Sequence, residues 1–295
     1  MASPTTCAIR AVLLDLSGTV HIGDKIIPGA LEACQKLVQH NVAVRFLTNT
    51  TKASRQELLE NLWALGFSQD LVHADSIVTN TQASKQMIRK HKLKPYCFVN
   101  DSLLADLEIE QLPNAADNNS ESYDSVLVGL APEVLNYEKL NTAFRVITKE
   151  KERRKSSVDS QEKQQPPLII ALHRGKYLRD VDGGLSLGPG GFVACLQEAS
   201  GISDSDIPVM GKPSREFFLA AIPEGILSAE TAMVGDDVLQ DVIGAQQAGL
   251  GLGILVKTGK YQAGDEGTEA DGFSPSATVD SIVEAVDYIL ARIQC

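Results

Sequence analysis

The sequence predicts a doubly wound α/β protein built on a parallel sheet. Three observations predict it. Short apolar runs alternate with amphipathic helical patterns along the 295 residues, as crossover-connected strands require. Four of these runs end abruptly in polar residues with reactive side chains: Asp15-Leu16-Ser17-Gly18-Thr19, Thr48-Asn49, Gly211-Lys212-Pro213 and Gly235-Asp236-Asp237. The chain between the second and third of these places is far longer than one further strand–helix unit needs.

The elements follow in order. Ala11–Leu14 reads as a buried strand ending in Asp15. A short flap comes next, and Pro28 and Gly29 open a helix through about Gln39 with Leu31, Cys34, Leu37 and Val38 on one face. Val42–Leu47 is the second strand and ends in Thr48. Ser54 N-caps a helix carrying Leu58, Leu59, Leu62 and Leu65, stopped by Gly66. Strand patterns recur at Tyr96–Val99, Ser125–Val128, Leu168–Leu172, Val209–Met210, Ala232–Val234 and Leu252–Val256. Helical patterns at Tyr137–Thr148, Phe192–Ser200, Arg215–Ile222, Leu239–Ala248 and Ser281–Ile293 alternate with them. The polar run Lys149–Pro167 ends in two prolines and reads as a mobile surface loop; Gly264–Ser276 is a second soft segment.

Composition narrows the function. With 43% hydrophobic and 22% charged residues the chain is globular in type. The formal charge of −11 disfavours nucleic acid as a partner. No run reaches the roughly 18 apolar residues of a membrane span, and the polar start leads into a strand without a signal-peptide pattern. Cys7, Cys34, Cys97, Cys195 and Cys295 are scattered, form no CxxC pair and read as reduced thiols, mostly core fillers. The expectation is a cytoplasmic protein. The acidic balance does not exclude a small phosphorylated substrate, because local lysines and a metal can reverse the field inside a pocket.

In parallel sheets ligands bind beyond the carboxyl ends of the strands. The four strand ends supply a carboxylate, a hydroxyl, an ammonium and an acidic pair, which is the equipment for phosphoryl transfer through a metal ion. A carboxylate can attack phosphorus and split one difficult displacement into two. An anion attacking an anion needs neutralisation, which magnesium supplies from one or two carboxylates and a few oxygen ligands. Asp15 is therefore the expected nucleophile. The expected metal set is Asp15, Asp236 and the Ser17 carbonyl, with Asp241 holding a metal-bound water. Lys212 balances charge between nucleophile and phosphate, while Thr48 and the Asn49 backbone hold phosphoryl oxygens. Leu16 and Ser17 complete the expected substrate-binding set. Singly, each motif has a plainer explanation: Asp-x-Ser-Gly occurs in turns, Thr48 and Asn49 can cap a helix, Lys212 can be a solvated loop lysine, and Asp236-Asp237 suits a helix N-terminus. Their joint order after apolar strands favours chemistry. No GxGxxG follows the first strand, which argues against a nucleotide-binding oxidoreductase.

The stretches VLLDLSGTVHIGD, VRFLTNTTKASRQELLENL, GLAPEVLNYEKLNTAFR, LSLGPGGFVACLQEASG, VMGKPSREFF, AMVGDDVLQDVIGAQ and LGILVKTGKY resemble the haloacid dehalogenase superfamily. The resemblance implies a Rossmann-like core at about 1–81 and 187–295, with an inserted α/β cap of the C2 type at about 82–186. The cap would read the leaving group, with His173, Arg174, Lys176 and Tyr177 as candidates. Dimerisation through the cap makes a homodimer a further expectation. One departure stands out. Most phosphatases of this superfamily carry a second Asp two residues after the nucleophile as general acid and base, and here Ser17 occupies that place. A serine hydroxyl cannot protonate an alkoxide efficiently, so the resemblance implies substrates with good leaving groups, such as phosphoramidates or pyrophosphate. A catalytically weak magnesium- and phosphate-binding module, or a slow general phosphomonoesterase, are the rival readings.

Overall fold

The computed structural model describes residues 8–51, 53–109, 122–156, 165–179 and 184–293. Its central sheet has six parallel strands in the order Ala277–Val279, Leu252–Val256, Thr231–Gly235, Ala11–Asp15, Ala43–Thr48 and Ile77–Thr79. The α/β expectation is met. The last of these strands and the helix Asn80–His91 behind it were not anticipated, because three residues of strand leave too little pattern to see.

Successive side chains of a strand point to opposite faces, and the first strand shows what that does here. Val12 and Leu14 pack with Phe46, Val234 and Ile254 under the helices Ala30–Gln39, Arg55–Ala64 and Ile282–Ile293. Leu13, with Leu47 and Met233, faces Phe217, Phe218 and Ala245 on the other side. A strand covered on both faces must be apolar throughout, which explains the unbroken Ala-Val-Leu-Leu run. The Arg55–Ala64 helix starts as expected: the Ser54 hydroxyl accepts from the Glu57 N–H at 3.2 Å, and the Glu57 carboxylate accepts from the Ser54 N–H at 2.6 Å. In the first helix the buried face is Ala30, Ala33, Cys34 and Leu37, whereas Val38 is 51% exposed. Two alanines, weak as hydrophobic signals, set the helix rotation there.

A second sheet holds Pro95–Phe98, Ser125–Val128 and Ile169–Ala171, all parallel. The Val209 segment joins it beside Ala171, with the Met210 N–H donating to the Ala171 carbonyl at 2.9 Å. Helices Tyr137–Ser156 and Gly190–Ser200 cover one face through Ala143, Val146, Val193 and Leu196. Helices Asn80–His91 and Asp101–Leu107 cover the other through Ile88, Leu103 and Leu104. Val193, Leu196, Ile207 and Val209 pack on one face of the second sheet and Met210 on the other.

The expected mobile loop over Lys149–Pro167 is corrected in its first half. Helix Tyr137–Ser156 runs through Lys149–Ser156. Its charged residues are strong helix formers, and Glu150, only 3% exposed, pairs with Arg153 at 2.7 Å and Arg154 at 3.3 Å. Residues 157–164 of that segment lie outside the described residues. Among the described residues no helix is long and apolar enough to cross a membrane. Cys34 and Cys97 have thiols pushed up to about 12 by burial, in keeping with packing roles; Cys195 is exposed, and Cys7 and Cys295 lie outside the described residues.

Candidate active site

From the Ala11–Asp15 strand the chain builds outward in one direction to Ala43–Thr48. The Thr231–Gly235 strand lies on the other side. The order reverses between these neighbours, and a crevice opens at their carboxyl ends. Asp15 ends one strand and Asp236 follows the other, so the sheet itself brings the two carboxylates together. Thr48 ends the next strand along. Asp15, Thr48, Lys212, Asp236 and Asp241 all line one cleft of about 340 Å³, and none is more than 6% exposed.

The charges are mutually arranged. The Lys212 ammonium donates to Asp15 Oδ1 and lies 2.6 Å from Asp241 Oδ1. Burial alone would lower the lysine pKa, but Asp15 and Asp241 hold it above the usual lysine range. Burial pushes the Asp241 carboxyl up to about 6, opposed by Lys212 and reinforced by Asp15. Asp236 is also raised, first by burial and then by Asp15. The ligand oxygens of Asp15, Asp236 and Asp241 lie within 4.8 Å of one another, an arrangement that suits a hard cation. Asp15 Oδ2 is buried and meets no hydrogen-bond donor among the described residues, a costly state that a cation would relieve.

Backbone contacts set these groups. Asp236 Oδ2 accepts the Lys260 N–H at 2.7 Å. Gly18 and Gly259 close on the same oxygen so tightly that a Cβ on either would lie 2.0 Å from it. A Cβ on Gly235 would likewise lie 2.3 Å from Asp241 Oδ2. The neighbouring Asp237 does a different job: its carboxylate accepts from the N–H groups of Leu239 and Gln240, capping a π-helical segment, Val238–Ile243, that carries Asp241. The acidic pair thus divides into a cleft-lining carboxylate and a helix cap. Thr48 Oγ1 accepts the Thr50 N–H at 3.1 Å, which orients the hydroxyl and leaves its proton for donation.

Placement of the other expected residues differs in detail. Ser17 is exposed and lines the cleft. Leu16 buries its side chain in the core, and its carbonyl accepts from Val20 and His21. Asn49 lines the cleft, but its side chain is spent on the backbone of Lys212. Of the four turn residues proposed to read the leaving group, His173 and Tyr177 line the cleft, Lys176 is exposed, and Arg174 turns to Asp204 and Gln197.

With this geometry in view, the relatives decide the family. The profile described as Haloacid dehalogenase-like hydrolase matches residues 12–111, and a second profile of the same class matches 209–285. Haloacid dehalogenase-like hydrolase domain-containing protein 2 of Bos taurus is 42% identical over 290 residues, covering 98% of this chain and 99% of that one. The chain belongs to the haloacid dehalogenase-like hydrolases. Another hydrolase of this family, phospholysine phosphohistidine inorganic pyrophosphate phosphatase of Xenopus laevis, is 32% identical, covering 97% of each chain. In fold, the hydrolase is similar to 4-nitrophenylphosphatase from Thermotoga maritima, at a TM-score of 0.74 and 24% identity over 95% of this chain and 97% of that one.

Sequence reasoning missed Lys260, Gln240 and Gly259, all of which line the hydrolase's cleft. Lys260 and Gly259 lie on the loop after the apolar strand Leu252–Val256, a few residues beyond the strand end where the rule that found Asp15 looks. Lys260 Nζ lies 3.5 Å from Asp237 Oδ2, and the acidic cluster holds its ammonium above the ordinary range against the effect of burial. A larger cleft of about 900 Å³, lined by Arg45, Asp75 and Phe217, contains none of the strand-end carboxylates.

Proposed function

We propose that this chain is a magnesium-dependent phosphatase that attacks phosphorus with Asp15 and forms an aspartyl-phosphate. The observation that carries the reading is the division of labour between the two Asp15 oxygens. Oδ1 is held by Lys212, while Oδ2 is buried without a donor among the described residues, and one carboxylate oxygen each of Asp15, Asp236 and Asp241 lies within 4.8 Å of the others. Asp15, Asp236 and the Ser17 carbonyl would hold the magnesium, with Asp241 supporting it through a bound water. Bound there, magnesium supplies the charge neutralisation that attack of a carboxylate on a phosphate requires.

The chain's own residues do the rest. Lys212 pins the nucleophile and faces the phosphoryl group with a permanent positive charge. The Thr48 hydroxyl and the Asn49 backbone N–H bind phosphoryl oxygens. The bond from phosphorus to the leaving group breaks as the Asp15 oxygen bonds to phosphorus, and water then cleaves the acyl phosphate. Ser17 cannot serve as a strong acid, so substrates with good leaving groups are favoured, phosphoramidates and pyrophosphate among them. The name of the Xenopus relative supports that choice.

The test is turnover of 4-nitrophenyl phosphate and pyrophosphate by the wild type and Asp15→Asn, with magnesium and with excess chelator. We expect a loss of several orders of magnitude in the variant and in chelator. More than a few per cent of wild-type activity in Asp15→Asn overturns the nucleophile. Full activity in chelator overturns the metal. Magnesium-dependent phosphate binding without turnover would favour a binding module instead.

A further inference from the structure

On the side of the inserted unit the cleft is bordered by the turn 173–177, and glycines let that turn sit down. The Gly190 N–H donates to the Gly175 carbonyl at 3.0 Å, and the Gly188 N–H donates to the Lys176 carbonyl at 2.9 Å. A Cβ on Gly188 would fall 2.2 Å from the Gly175 oxygen, and one on Gly190 would fall 2.5 Å from the Arg174 oxygen. The Leu187-Gly188-Pro189-Gly190 stretch is therefore a seat for the turn. Arg174 anchors it outward on Asp204 and Gln197. The Tyr177 hydroxyl accepts from Gln262 Nε2 at 3.2 Å, tying the turn to the loop beyond Leu252–Val256.

This seat fixes His173, whose half-buried ring lines the same cleft as Asp15 and Lys212. The Gly175 N–H donates to His173 Nδ1 at 3.2 Å. A ring nitrogen that accepts a hydrogen bond carries no proton, so the ring is neutral and its one N–H is at Nε2. Burial, followed by the charges of Lys260 and Lys212, pushes the imidazolium pKa down to about 3, which agrees with the geometry. His173 thus adds an oriented, uncharged donor to the cleft that holds Asp15 and Lys212. Ser17 leaves the usual acid's work undone.

We propose that His173 contacts the substrate and donates its Nε2–H hydrogen bond to the leaving-group atom as the bond to phosphorus breaks. The inference rests on the phosphatase reading above. The electron pair of the breaking P–O or P–N bond stays on the leaving atom, which the imidazole holds by a hydrogen bond. The imidazole keeps its proton, because imidazolate is too basic a product, and the departed group takes its proton from water. A neutral imidazole used in this way is an established catalytic device. Its contribution grows with the charge that develops on the leaving atom, and so with the basicity of the leaving group.

The experiment compares wild type, His173→Phe and His173→Gln on phosphates graded from 4-nitrophenyl to phenyl to glycerol phosphate. Removal of one donor aimed at developing charge costs about 10²- to 10³-fold where that charge is fully developed. In His173→Phe we expect a fall in kcat/KM of about 3-fold for 4-nitrophenyl phosphate and approaching 10² for glycerol phosphate. The amide N–H of His173→Gln should recover most of it. Equal losses across the series, or none, overturn the proposal and leave the role of the residue structural. A second readout is independent of turnover: ¹⁵N spectra of the imidazole should show a bare Nδ1 and a protonated Nε2 from pH 5 to 8. An imidazolium at pH 5, or the opposite tautomer, overturns the proposal whatever the kinetics. Full activity in Asp15→Asn sinks the phosphatase mechanism but leaves the tautomer unmoved. A wild type inert toward the whole series overturns both.

Discussion

The side-chain amide of Asn49 grips the backbone of Lys212 from both sides: Nδ2 donates to the Lys212 carbonyl at 2.9 Å, and Oδ1 accepts the Lys212 N–H at 2.8 Å. Nδ2 also donates to Gln240 Oε1 at 3.1 Å. Two strand-end motifs far apart in sequence are thereby locked in register, and the lysine at the root of the grip is the one that pairs with Asp15. Asn49 is in this respect a positioning residue. A Cβ on Gly211 would sit 2.2 Å from Asn49 Oδ1, so the preceding glycine is what allows the approach.

Asn49→Ala removes all three hydrogen bonds, two to Lys212 and one to Gln240, and frees the Lys212 loop while keeping every charge. We expect kcat on 4-nitrophenyl phosphate to fall by about 10- to 100-fold, since small misplacements of a catalytic group cost that much. Asn49→Asp keeps the acceptor but sets a carboxylate oxygen against the Lys212 carbonyl, and should be no better than alanine. Steady-state kinetics check this; unchanged kcat in Asn49→Ala would show that the grip is dispensable.

Gly259→Ala puts a methyl group where Asp236 Oδ2 and the Gly18 backbone already are, at a backbone φ of +56° that disfavours a side chain. Asp236 must move, and it is an expected metal ligand. Titration calorimetry with Mg²⁺, or electron paramagnetic resonance with Mn²⁺, should show metal affinity weakened by about 10- to 100-fold, as for loss of an orienting contact around a metal. Gly267→Ala, in the same loop with open space around it and no left-handed backbone, is the matched control and should bind metal as wild type does. Equal affinities in Gly259→Ala and the control would separate the loop from the metal site.

Much of this site was legible because its residues obey one rule: a reactive side chain immediately after a buried strand. Asp15, Thr48 and Asp236 follow from it, and the sheet order brings them together. Lys212 follows the Val209 segment beside the second sheet and reaches the cleft from its loop. What escaped was of two kinds. The expected role of Asn49 uses its backbone N–H; that its side-chain amide holds the backbone of Lys212 was not legible, because no local pattern encodes so distant a partner. The helix over Lys149–Ser156 escaped because its stability comes from Glu150 buried against Arg153 and Arg154 rather than from an apolar stripe.

Two groups of the cleft, Asp241 and His173, give opposite pH signatures to metal-free stability. Asp241 binds its proton more tightly folded than unfolded, with its pKa raised from 3.8 to about 6. The folded state therefore holds more protons in that window, and the Asp241 contribution falls as pH rises through it. His173 is depressed from 6.5 to about 3, so its contribution is full above 6.5 and is lost as pH falls toward 3. Denaturant melts of the metal-free protein from pH 4 to 7 should show Asp241→Asn losing less stability than wild type as pH rises. His173→Gln should lose less as pH falls. Parallel curves for wild type and either variant would remove that group from the linkage.

Ser17→Asp asks whether the missing acid limits the reaction. Ser17 is exposed at the cleft, so a carboxyl group there has room and reaches solvent. The expected metal contact of residue 17 is its backbone carbonyl, which the substitution keeps. General acid help is worth about 10²–10⁴, and it matters most when the leaving group is basic. The variant should therefore gain up to about 10²-fold on glycerol phosphate and little on 4-nitrophenyl phosphate, whose leaving group departs unaided. Added negative charge near Asp15 and Asp236 will repel the phosphate, an effect expected in KM rather than kcat. The cost is bounded because Lys212 and Lys260 already balance this cluster. A uniform gain across leaving groups would point to altered binding, and a uniform loss would mean that a carboxylate at this position competes with the substrate for the metal. Only a gain that rises with leaving-group basicity identifies the absent acid as the limit, and double substitution with His173→Phe should then cost less than His173→Phe alone, because the new acid takes over the leaving atom.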